Sequence, residues 1–172
     1  PFERIVSDYR EVKPARFVVD TPEKENAILM ARVDFAANLA DPDMAALITA
    51  DWILGGSSGL SNRIVTRLRQ KEGLSYGASS NVTIPAFGNR AKWSIGAIVA
   101  PQNLAQAEAS LKDELRKALK DGITEQELEE AKRGMIENRA VNRAQDGMLA
   151  AGWTSNLEMG RTWSFSKETE DA

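Results

Sequence analysis

Histidine and cysteine are both absent from the 172 residues. Their absence removes the imidazole and thiolate ligands on which zinc sites mainly draw. It also removes Ser-His-Asp and Cys-His catalysis, each of which needs a side chain this chain does not carry. Disulfides are excluded, so the fold rests on a packed core, although a lack of cysteine does not identify a redox compartment. Long apolar runs are missing as well. Stretches such as Ala27–Ala31 and Ile95–Val99 fall far short of the ~20 residues needed to span a bilayer. No secretory signal opens the chain, and a start at Pro1 rather than methionine suggests an excised piece or a processed product. Net charge is −3, with both signs mixed along the chain, so the basic face expected of a nucleic-acid partner is lacking.

What remains for chemistry is carboxylates, lysines, arginines, hydroxyls and two tyrosines. A catalytic role for such a chain would therefore be that of a partner to another component. With 42% hydrophobic residues, the length suits one compact domain. Residues 1–15 read as a lead-in or linker and 16–172 as a single domain, truncated at its C-terminal end.

Arg16–Asp20 is a short strand candidate. In Ala27–Phe35 the apolar Leu29, Ala31, Val33 and Phe35 alternate with Arg32 and Asp34, the period of a half-buried strand. Asp41-Pro42 predicts a capped helix start, with the helix running through Leu47, Ile48 and Trp52 to a stop at Gly55-Gly56. A second short helix has Leu60, Ile64 and Leu68 on one side and Arg63, Arg67 and Arg69 on the other, closed by Gly73. Tyr76–Ile84 and Lys92–Val99 read as two strands. Leu104, Leu111 and Leu115 mark a helix after Pro101, with Glu108–Lys112 and Asp113–Lys117 as ion pairs one turn apart. Thr124 and Glu127 form a capping box that opens a long helix. Gly147 and Gly152 punctuate a further helical segment, and the polar tail from Thr162 reads as the start of another element. The sum is an α+β fold, a mostly antiparallel sheet covered by helices on one face.

Three features invite functional readings beside plainer ones. The loop Gly55, Gly56, Ser57, Ser58 and Gly59 could cradle a phosphate, but lacks the Gly-Lys-Ser/Thr of a Walker loop; a C-cap followed by a turn capped by Ser58 is the simpler account. The arginines read as a solvated face with positive charge at a helix end. Tyr76 reads first as a strand aromatic filling the core, whose hydroxyl would need a partner if buried. The carboxylate runs Glu125–Glu130 and Glu168–Asp171 read as helix-terminal charge and a solvated tail.

The segments LGG…SNRIVTRLRQKEGLSY, Asp41-Pro-Asp and Gly122-Ile-Thr-x-x-Glu-Leu-x-x-Ala-Lys132 together resemble the C-terminal, non-zinc half of the pitrilysin/insulinase (M16) metallopeptidases, over about residues 16–160. Gln70 departs from the acidic residue common at its position, a neutral surface change. The resemblance implies two homologous α+β halves closing around a peptide, with zinc held by a His-x-x-Glu-His motif in the partner half, on the same or a separate chain. It assigns Arg69 and Tyr76 to the closed site: Tyr76 as a donor to the oxyanion, Arg69 as a holder of a neighbouring substrate carbonyl. The glycine loop, Gly55 to Gly59, would contact substrate. No metal is expected in this chain, and by analogy the enzyme would be bacterial and periplasmic, with the cytoplasm as the alternative. A catalytically dead scaffold of the same fold is the competing reading.

Overall fold

The computed structural model describes residues 3–56, 62–162 and 164–171. The chain divides into two compact units, Pro1–Thr124 and Glu125–Ala172.

The first unit is built on three antiparallel strands: β1 (Ala27–Ala36), β2 (Ser75–Thr83) and β3 (Arg90–Val99). β3 lies in the centre, in the order β1-β3-β2. Its residues Trp93, Ile95, Ala97 and Val99 share one face, as their alternation predicts, and Ile95, Ala97 and Val99 are buried. Helix α1 (Met44–Asp51), α2 (Arg63–Val65) and α3 (Leu104–Asp121) complete this unit. Ile64, Leu68, Leu74, Ala107 and Leu111 close over the same face of β3 to form the main core. Ile64 and Leu68, one helical turn apart, are fully buried. A smaller cluster of Ala37, Met44 and Ala91 sits at the other end of the sheet. The α+β architecture read from the sequence is the architecture observed.

Local corrections have physical causes. Arg16–Asp20 is not a strand: it pairs with no neighbour among the described residues, and Phe17 is 86% exposed. Arg16 instead reaches Glu108 on α3, 3.2 Å away. Asp41 does not cap α1; its Oδ2 accepts from the Asn38 N–H at 2.6 Å, closing the preceding loop, and the helix starts at Met44. The cap of α2 is Asn62, whose Oδ1 accepts from the Val65 N–H at 2.9 Å; Ser58 lies outside the described residues. Gly152 lies inside the helix Asp146–Glu158 rather than at an end, whereas Gly147 is in its first turn. The expected ion pairs on α3 are present, Lys112–Glu108 at 2.6 Å and Lys117–Asp113 at 2.8 Å. Gly122, with φ +75°, ends that helix.

Helix α1 itself gives way after Asp51, and Gly55-Gly56 are the last two described residues of the helical run that follows it. The chain continues as a π-helical turn over Trp52–Gly56, and these two glycines serve close packing. A Cβ on Gly55 would lie 2.7 Å from the Ser80 backbone nitrogen, and one on Gly56 would strike the Asp51 carboxylate. Asp51 is the single charged residue of Met44–Gly56, and only 8% of it is exposed. Its Oδ1 accepts from Ser80 Oγ and Trp93 Nε1, each at 2.6 Å, and its Oδ2 from the Val82 N–H at 3.1 Å. One carboxylate thus ties the end of α1 to both β2 and β3.

The second unit holds α4 (Glu125–Arg143), α5 (Asp146–Glu158) and α6 (Phe165–Asp171). Arg143 pairs with Glu170, and the Arg161 guanidinium stacks 4.1 Å from the Phe165 ring centre.

Two outcomes are expected. Gly55→Ala forces a methyl group against the Ser80 backbone and lowers stability by about 1–3 kcal/mol. Gly96→Ala, whose Cβ would meet nothing within 4 Å, leaves stability near native; urea unfolding of both variants measures the contrast. The second concerns Asp34, which Arg32 holds at 2.6 Å and Arg90 at 2.7 Å. The hydrogen bonds from Arg32 and then Arg90 lower its pKa from 3.8 to about 2. A depressed carboxylate stabilises the fold above its unfolded pKa and loses that contribution as pH falls through the folded value. Melting temperature should therefore drop between about pH 4 and pH 2, and Asp34→Asn should flatten the profile in that window.

Candidate functional site

Arg69 and Tyr76 flank a single turn that leads from helix to strand. After α2 the chain widens into a π-helical turn, Thr66–Lys71, which carries Arg69. Such turns occur often at functional sites. Gly73, at φ +63°, reverses the chain, and the Leu74 N–H reaches back to the Leu68 carbonyl at 2.8 Å. That bond closes over a left-handed glycine and is one residue longer than the Schellman pattern, as the wider π-helical turn before it requires. Leu74 and Leu68 meet in the main core beneath it, so the turn is anchored by apolar contact as well as by the backbone.

The three arginines separate in role. Arg67 is an internal tie: its Nε meets Glu72 at 2.5 Å and its Nη1 meets Asp113 at 3.2 Å. Burial works to raise the Glu72 pKa, but hydrogen bonds from Ser110 and Arg67, with the Arg67 charge, outweigh it and leave the pKa lowered. Arg63 donates to the Gly122 carbonyl at 2.9 Å. Arg69 is exposed and has no side-chain partner among the described residues. The solvated-arginine reading therefore holds for Arg69 alone, and Arg67 and Arg63 brace the turn against α3 and its end.

Tyr76 does not fill the core. β2 pairs with β3 as Ala78↔Ala97 and Gly77↔Ile98, but the next pair is Ser75↔Val99. Tyr76 is the extra residue of a β-bulge, a device that re-aims a side chain. It is 71% exposed, and its hydroxyl has no hydrogen-bond partner among the described residues. Simple alternation puts Tyr76 on the face of Ala78 and Ser80, which is the core face; the bulge overturns that reading.

Of the glycine loop, Gly55 is buried against Ser80 and Gly56 is exposed. Ser57, Ser58 and Gly59 lie outside the described residues. The sequence reading missed Asp51, which underpins the start of this loop; a lone acid in an otherwise apolar helical run was the available signal. It also missed Ser75, whose role depends on strand register. An open cleft of about 350 Å³ in the second unit is lined by Arg139, Asn142, Trp153 and Asn156 among others, and holds none of these candidate residues. Among the described residues, no three His, Cys, Asp or Glu side chains are grouped to hold a metal ion. No described helix is long and apolar enough to cross a membrane.

Comparison with known proteins places the fold. No curated protein matches the chain. Among solved structures, the peptidase M16 inactive domain from Pseudomonas fluorescens is 24% identical, with a TM-score of 0.73 over 86% of this chain and 34% of that one. The inactive peptidase domain of a candidate zinc protease from Bordetella parapertussis is 17% identical, with a TM-score of 0.65 over 86% of this chain and 79% of that one. A chain of complex III2 from Candida albicans is 18% identical, with a TM-score of 0.67 over 87% of this chain and 37% of that one. At these identities the likeness speaks for the fold. The chain spans about a third of the length of the Pseudomonas structure (34%) and of a protease from Helicobacter pylori (35%). A family model described as the peptidase M16 inactive domain matches residues 1–135. The chain belongs to the M16 peptidase family, as its inactive domain.

Proposed function

We propose that this chain is the substrate-clamping half of a zinc endopeptidase and is inert alone. The observation that carries the reading is Tyr76: a phenol turned out of the sheet by a bulge, exposed and unpartnered among the described residues. A tyrosine held in this way has a hydroxyl ready to donate to charge that develops elsewhere. Arg69, exposed on the braced turn before it, supplies a second donor group. Directed at a tetrahedral oxyanion, a preorganised donor is worth about 10²–10³ in kcat.

The division of labour follows from composition. Without histidine or cysteine, this chain leaves metal binding to a partner half, on the same or another polypeptide. Bound there, zinc would supply the activated water. The residues here hold the peptide: Tyr76 donates to the oxyanion, Arg69 to a neighbouring carbonyl, and the loop from Gly55 to Gly59 contacts substrate. An extended peptide would add to a free strand edge, and both β1 and β2 are edges of the described sheet. The family analogy favours a bacterial periplasmic enzyme.

A scaffold role is the second reading, supported by the likeness to a chain of complex III2. Exposed donors, unpartnered among the described residues, favour the peptidase reading, since a scaffold has no use for an oxyanion donor.

Peptide hydrolysis by the zinc-loaded assembly of this chain with its partner half separates the two. Tyr76→Phe should lower kcat by ~10²-fold or more, with assembly intact. Arg69→Ala should also reduce kcat/KM. Native rates in both variants would make these residues structural and put the scaffold reading first.

A further inference from the structure

Period-two alternation along β2 would seat Tyr76 opposite Val99, on the core face beside Ala78 and Ser80. In the fold that place belongs to Ser75, which pairs with Val99 and is buried. The exposure of the phenol therefore depends on a one-residue slip at the start of β2, and something must hold that slip. A bulge leaves ladder groups unmatched, and a buried unmatched group is costly.

The Ser75 hydroxyl meets those groups. Its oxygen lies 2.8 Å from the Gly77 carbonyl and 2.9 Å from the Ile98 carbonyl of the central strand. The Gly77 N–H donates to it at 3.1 Å. The one hydroxyl hydrogen has both carbonyls within reach, while the oxygen takes the Gly77 N–H beside the bulge. The hydroxyl thus links both residues that border Tyr76 and joins β2 to β3 at the slip. We infer that Ser75 is the positioning residue for Tyr76, its hydroxyl locking the bulge that keeps the phenol out of the core. The inference rests on the oxyanion reading for its effect on catalysis, but its structural half can be tested separately.

Two measurements test it. In the chain labelled at its two tyrosines, with Tyr9 as internal reference, a paramagnetic co-solute reports the exposure of Tyr76 by NMR. Ser75→Ala should protect the Tyr76 ring or broaden it into several states, and Ser75→Thr, which keeps a hydroxyl, should restore the native signal. Should the alanine variant fail to fold, Ser75→Cys keeps the volume with only a weak donor and takes its place. In the zinc-loaded assembly, Ser75→Ala should lower kcat by ~10-fold or more with KM little changed. Added to Tyr76→Phe, it should cost little further. Native ring exposure in Ser75→Ala, or losses that multiply in the double variant, would overturn the inference. If the ring withdraws as expected but Tyr76→Phe hydrolyses at the native rate, the oxyanion reading fails and the positioning role stands.

Discussion

Asp51 directs both carboxylate oxygens into the fold, and three donors from two strands converge on it: Ser80 Oγ, Trp93 Nε1 and the Val82 N–H. Burying an acid this way is tolerable only when its acceptors are met, because an unmatched buried charge is far more costly than a neutral gap. The constraint reaches outward. It fixes the end of α1 against the sheet so closely that a side chain at Gly55 would strike Ser80 and one at Gly56 would strike Asp51 itself. The glycine loop therefore departs from a rigid base.

A second constraint sets the other side of the candidate site. Leu68 and Leu74 share the core while Gly73 turns the chain between them. Arg67 binds the same turn to α3 through Asp113 and to its own end through Glu72. Arg69 stands on this braced segment, exposed, and its side chain has no hydrogen-bond or ion-pair partner among the described residues. Packing stabilises the neighbours and leaves the candidate donors exposed, an arrangement suited to groups that act on something outside the chain.

The bulge at Tyr76 shows why site and core follow different rules. Val99, Ala97 and Ile95 obey strict alternation because each has a buried place to fill. Tyr76 breaks alternation, and the polar groups disturbed by the break are met by the Ser75 hydroxyl. Local rules commonly fail where a fold builds a site rather than a core.

Period and punctuation alone determined much of this protein: β1 and β3, the apolar faces of α2 and α3, the stop at Gly122, the α+β class, and the absence of histidine that denies the chain a zinc motif. These are properties of near neighbours in sequence, and a period of two or of 3.6 is visible wherever one face is buried. Arg69 and Tyr76 were legible as candidates only through a family pattern. The exposure of Tyr76, the buried Asp51, the packing role of Gly55-Gly56 and the unpaired Arg16–Asp20 were decided by tertiary structure. Each depends on which strand lies opposite and in what register, and register is settled by contacts between residues far apart in the chain.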